Sequence, residues 1–93
     1  MSYGVEFTRA ADDAFNQLPP IVASTVLDRL DDLARDPLGL GRPSHFPYLP
    51  GRQLFQFWTE SEGRWWVTIL FRFSQDEQRI VILDVVGVEV PDH

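Results

Sequence analysis

One ten-residue stretch does most to limit what this chain can fold into. Across residues 64–73, Trp65, Val67, Ile69, Phe71 and Phe73 alternate with Arg64, Trp66, Thr68, Leu70 and Arg72. An unbroken apolar set at a period of two is the pattern of a strand with one face on a core. The polar runs Ser61-Glu62-Gly63 and Gln75-Asp76-Glu77-Gln78 have the length and chemistry of hairpin turns. They link it to strand-like stretches at residues 52–59 and 79–88. Consecutive hairpins make an antiparallel meander. Its apolar face has to be covered, so the first half of the chain must supply the cover.

That half has helical periodicity. Residues 3–7 alternate as a short strand, Thr8 is placed to cap a helix, and Ala11, Ala14, Phe15 and Leu18 follow on one helical face. Pro19-Pro20 ends that helix and can open another, because proline fits a first helical turn. Residues 21–35 carry a second stripe, Val22, Val26, Leu30 and Leu33, with Asp28, Arg29, Asp31 and Asp32 turned outward. Asp36-Pro37 closes it. Residues 38–51 are rich in glycine and proline but hold Leu38, Leu40, Phe46, Tyr48 and Leu49, which call for burial in an ordered loop. The expected architecture is α+β, in the order β-α-α-β-β-β. A helical hairpin packs on a four-stranded, mainly antiparallel twisted sheet whose first strand joins one edge.

Composition narrows the function. Ninety-three residues make one domain, residues 1–93, with one core. With no cysteine, a disulfide framework, a zinc ribbon and a thiol nucleophile are excluded. His45 and His93 are too isolated to suggest a metal site, and no cofactor fingerprint is present. Eight cations, all arginine, stand against fourteen carboxylates, for a net charge of -6. That balance opposes general attraction to nucleic acid or an anionic membrane but leaves room for a local cationic strip. No apolar run approaches the ~20 residues of a spanning helix. The expectation is a soluble cytoplasmic protein.

Alternation sorts the sheet residues. Phe55 and Phe57 point inward with the 65–73 set, leaving Arg52, Leu54, Gln56, Trp58 and Glu60 beside Arg64, Trp66, Thr68, Leu70 and Arg72 on the other face. In the last strand alternation leaves the phase open: Val81, Leu83 and Val85 suit the core, which would set Ile80, Ile82, Asp84 and Val86 on the open face. An open face this rich in tryptophan and aliphatic residues marks an interface, or else a surface covered by the proline-rich loop. Trp58, Trp66, Leu70 and Thr68 are the candidate partner contacts. Arg72 beside Arg52 has the chemistry to grip a phosphate. His45 and Tyr48 in the loop are candidate proton-transfer groups, His45 because its pKa lies near neutrality. The competing reading pairs these arginines with nearby carboxylates and leaves His45 a loop residue.

The order of strand, helical hairpin, Asp-Pro, Gly/Pro loop and meander is similar to the RelE/ParE toxin superfamily. Tyr3-Gly4-Val5-Glu6-Phe7-Thr8 resembles the family's opening strand and cap. Leu18-Pro19, Arg35-Asp36-Pro37 and the last strand, residues 79–87, resemble it too. The resemblance implies a bacterial toxin–antitoxin module with a separately encoded antitoxin wrapped around this domain. It also implies either ribosome-dependent mRNA cleavage or inhibition of DNA gyrase. The cleaving members carry a recurrent arginine whose counterpart here lies close to Thr68. Their basic or aromatic residues after the last strand are replaced by Val88-Glu89-Val90-Pro91. The favoured expectation is therefore a toxin-like protein that works by protein–protein contact with weak or lost cleavage. The alternatives are an active mRNA interferase built on Arg52, Arg72, His45 and Tyr48, with ribosome and mRNA as partners, and a homodimeric regulatory module.

Overall fold

The computed structural model describes residues 3–43, 52–60 and 63–91. Strand β1 (Gly4–Phe7) leads to helices α1 (Arg9–Asn16), α2 (Pro20–Arg35) and the single turn α3 (Pro37–Leu40). The two-residue β2 (Arg42–Pro43) follows, then β3 (Gln53–Thr59), β4 (Arg64–Ser74) and β5 (Arg79–Val90). The sheet order is β1-β5-β4-β3-β2. β1 pairs in parallel along β5, and the other pairings among the described residues are antiparallel. The α+β fold with a mostly antiparallel sheet is as expected, with β2 a short addition at the β3 edge.

Local chemistry fixes the helix ends. Thr8 is the N-cap of α1, its Oγ1 accepting the Ala11 N–H at 3.2 Å. The Thr8 N–H in turn donates to the Ile82 carbonyl at 3.0 Å, tying the start of α1 to β5. Pro20 occupies the first position of α2, where its missing N–H costs nothing. At the other end the Asp36 carboxylate accepts the Gly39 N–H at 2.9 Å, turning the chain into α3.

One face of the sheet carries the core. Val22, Val26, Leu30 and Leu33 of α2 are buried with Ala11 of α1 against Phe55, Phe57, Val67, Ile69 and Phe71. Full burial of such side chains stabilises the fold by about 1.5–3 kcal/mol each. The helical stripes and the inward faces of β3 and β4 are therefore those the periodicity indicates.

The last strand departs from expectation. Ile80 and Ile82 are fully buried, whereas Val81 and Leu83 are only partly so; Val85 is buried, and Asp84 and Val86 are exposed, as expected. The cause is a β-bulge. Leu70 pairs with Asp84 but Phe71 with Ile82, so Leu83 is an extra residue and the alternation changes phase there. A second correction concerns Leu38, which is 62% exposed on α3 rather than buried. Phe46, Tyr48 and Leu49 lie outside the described residues. Gly63, with φ of +83°, makes the turn into β4 in a conformation that side chains other than glycine adopt at a cost. No helix among the described residues is long and apolar enough to cross a membrane.

Candidate functional site: the open sheet face

The face opposite the helices is laid out in rows by the strand register. Trp58, Trp66 and Val88 form one row, and Gln56, Thr68 and Val86 the next. Arg42, Leu54, Leu70 and Asp84 follow, and then Arg72 beside Val81 and Glu6. Arg52 precedes the last pair of the β3–β4 ladder, Gln53 with Phe71, so continued alternation places it in the Arg72 row. The face thus has an aromatic, aliphatic end and a cationic corner whose Arg52–Arg72 row lies about 20 Å away, six residues along β4 at ~3.3 Å each, with Arg42 one row nearer at the β2 edge.

At the aromatic end the Trp58 and Trp66 rings lie 4.7 Å apart, tilted by 49°. The Arg64 guanidinium sits 4.6 Å above the Trp58 ring and 3.8 Å from the Glu60 carboxylate. Trp58 is nonetheless 48% exposed, and Val86 and Val88 are 46% and 52% exposed. Contiguous apolar surface of this kind is unusual for a face left in water.

In the middle, Gln56 Nε2 donates to Thr68 Oγ1 at 3.0 Å. The Thr68 hydroxyl thus accepts from Gln56 and keeps its own proton available to a neighbour. Asp84 is exposed and its Oδ1 accepts the N–H of Val85 at 2.9 Å. Neutral hydrogen-bonding groups and a carboxylate therefore occupy the centre.

At the corner the arginines divide into two kinds. Arg79 bridges the carboxylates of Glu6 and Glu77. The hydrogen bond and charge of Glu6, and then Glu77, hold its guanidinium above the ordinary arginine range. Arg42, Arg52 and Arg72 make no ion pair among the described residues. Arg72 and Arg79 line a shallow hollow of about 440 Å³ with Glu6 and Glu77. The corner therefore sets one neutralised cation beside arginines that have no ion pair among the described residues, a setting suited to an incoming anion.

The residues singled out from sequence fall as follows. Arg52 and Arg72 share the corner, while Trp58, Trp66, Thr68 and Leu70 share the same face. His45 and Tyr48 lie outside the described residues. Arg42 went unnoticed in the sequence, since a two-residue strand offers no periodicity; the only local signal is its place between Gly41 and Pro43. No group of three or more His, Asp or Glu side chains among the described residues is placed to hold a metal ion.

No protein-family model matches the chain. Its fold is similar to that in the toxin–antitoxin complex RelBE2 from Mycobacterium tuberculosis, with a TM-score of 0.80 and 27% identity, over 95% of this chain and 100% of that one. It also overlaps the intact Escherichia coli RelBE toxin–antitoxin complex, with a TM-score of 0.69 and 13% identity, over 96% and 100% of the two chains. These overlaps define the class, a RelE-like α+β domain. In sequence, the chain is 33% identical to Toxin RelG of M. tuberculosis over 86 residues, 91% of this chain and 90% of that protein. The chain belongs to the RelE-like toxin superfamily.

Proposed function

We propose that this chain is the toxin component of a bacterial type II toxin–antitoxin pair, bound by a cognate antitoxin in the cytoplasm, and that its open sheet face acts by contact with a partner rather than by fast RNA cleavage. The matched structures RelBE2 and RelBE are toxin–antitoxin complexes, which supports the antitoxin partner. The observation that carries the contact reading is the make-up of the face. Cleavage through a ribose 2′-hydroxyl needs a proton acceptor, a proton donor and cations around the scissile phosphate. The centre instead offers the Gln56–Thr68 pair, Val86 and Asp84, with Arg42 off to the side at the β2 edge. A hydroxyl can hydrogen-bond a phosphate but does not offset its developing charge, and Asp84 repels it.

The test is induced expression without the antitoxin, followed by mapping of mRNA 5′ ends. The contact reading expects few or no new ends within translated messages. Growth arrest with cleavage inside translated mRNA refutes it.

The corner arginines, which make no ion pair among the described residues, favour a second reading, an mRNA interferase whose site is displaced toward Arg52 and Arg72 and uses His45 and Tyr48 for proton transfer. In a toxic parent, Arg72→Ala and His45→Ala each abolish arrest on that reading. Unchanged toxicity in both removes the site assignment.

A further inference from the structure

The charge pattern of the open face specifies the chemistry of what binds it. The protein is acidic as a whole, at -6, so an anionic partner is repelled by most of its surface. Arg42, Arg52 and Arg72 are the exception, cations without ion-pair partners among the described residues, with Arg52 and Arg72 in the last row of the face and Arg42 one row before it, across the sheet from Asp84. At the other end Trp58 and Val88 are about half exposed beside Trp66. Between them lie half-buried aliphatic residues and the hydrogen-bonded Gln56–Thr68 pair. A nucleic acid would find charge at one end alone, with the carboxylate of Asp84 in its path. A peptide segment with carboxylates at one end and large apolar side chains at the other finds a match at both.

We infer that the open face receives a single protein segment with opposite ends, a cluster of carboxylates seated on Arg42, Arg52 and Arg72, and an aromatic or branched apolar anchor seated on Trp58, Trp66 and Val88. The inference rests on the antitoxin reading and names the part of the antitoxin that contacts this face. The span of about 20 Å fixes the spacing. Carboxylates and anchor stand about 13 residues apart if the segment is helical and about six apart if it is extended. The corner supplies long-range attraction that salt weakens, whereas the tryptophan end supplies salt-insensitive burial.

The experiment uses the full chain and the full-length product of the adjacent antitoxin gene, with affinity measured by calorimetry at two salt concentrations. Arg42→Glu with Arg72→Glu is expected to weaken the complex by roughly tenfold or more and to flatten its salt dependence. Trp58→Ser with Val88→Ser is expected to weaken it comparably while leaving the salt dependence intact. Arg35→Glu, on the exposed end of α2, serves as a control expected to change affinity by less than about threefold. Circular dichroism on each variant checks that the fold is retained. A complex that forms at full strength with both double variants overturns the inference and leaves the antitoxin reading standing. Absence of any complex with the unaltered chain overturns both. If a single-stranded RNA of about 12 nucleotides binds the corner tightly and loses affinity in the arginine double variant, while the antitoxin does not, the corner is an RNA contact and the inference fails.

Discussion

Gly41 is a position where one added methyl group should cost the fold heavily. A Cβ built there would lie 2.6 Å from Phe71 Cζ, 2.7 Å from the Pro37 carbonyl oxygen and 2.8 Å from Gln53 Oε1. Gln53 can swing its amide away, but the other two are held. Phe71 is fully buried in the core, and the Pro37 carbonyl accepts the N–H of Gly41 itself at 3.0 Å. Relief therefore requires α3 and β2 to move off the sheet. Overpacking of this kind costs about 1–3 kcal/mol, and the stiffer unfolded chain returns about 0.4–1 kcal/mol of it. The mid-range net loss of about 1.3 kcal/mol lowers Tm by about 5–10 °C in a domain of this size. Gly4→Ala is the matched comparison. Its Cβ would meet only the Gln78 carbonyl oxygen, at 3.8 Å, so the entropic gain dominates and Tm stays level or rises by a few degrees. Thermal unfolding followed by circular dichroism decides the matter. A Gly41→Ala protein within about 2 °C of the parent would refute the close-packing argument, because no other property separates the two glycines so sharply.

Three further outcomes follow from the contacts described. Thr8→Ala removes the oxygen that accepts the Ala11 N–H and should cost about 1 kcal/mol in urea unfolding, with no change in the slope against denaturant. Arg64→Ala uncovers the Trp58 ring and should lower stability by only about 0.5–1 kcal/mol, since both groups are exposed, while shifting tryptophan emission toward that of a wetter indole. Arg79→Gln should lower Tm by an amount that stays constant from about pH 7 to about pH 10. The Glu6 and Glu77 carboxylates raise the folded-state pKa of Arg79, so the stability linked to its proton is fully present below the unfolded guanidinium range and is lost only as pH rises above it. A gap that closes within that window would mean a different group carries the effect.

The helices and the central strands were legible because each residue set had only one consistent assignment. Val22, Val26, Leu30 and Leu33 fit a single helical stripe, and β4 has no polar residue on its inner face. The phase of β5 was not legible. Ile80, Val81, Ile82 and Leu83 are all apolar, so alternation gives no reason to prefer either pair, and a bulge leaves no mark in composition. Placing Arg52 and Arg72 on the face beside the two tryptophans required only a count by two. Recognising Arg42 as their neighbour required the pairing of β2 with β3, a contact between short segments that no local pattern announces. The stacking of Arg64 on Trp58 likewise depends on cross-strand register, which sets Trp58 opposite Trp66.

Leu83 gives β5 two reading frames joined by a spacer. Ile80 and Ile82 face inward on one side of it, Val85 on the other. Deleting Leu83 would fuse them into Ile80-Val81-Ile82-Asp84-Val85, a continuous alternation in which every core side chain keeps its place. Deleting Val81 or Val86 instead would turn one half of the strand inside out. The spacer can thus be lost without harm to the interior, and what goes with it is curvature, since the extra residue bends and twists the strand. In this fold the bend and twist of β5 depend on a residue count and can change while the hydrophobic interior stays the same.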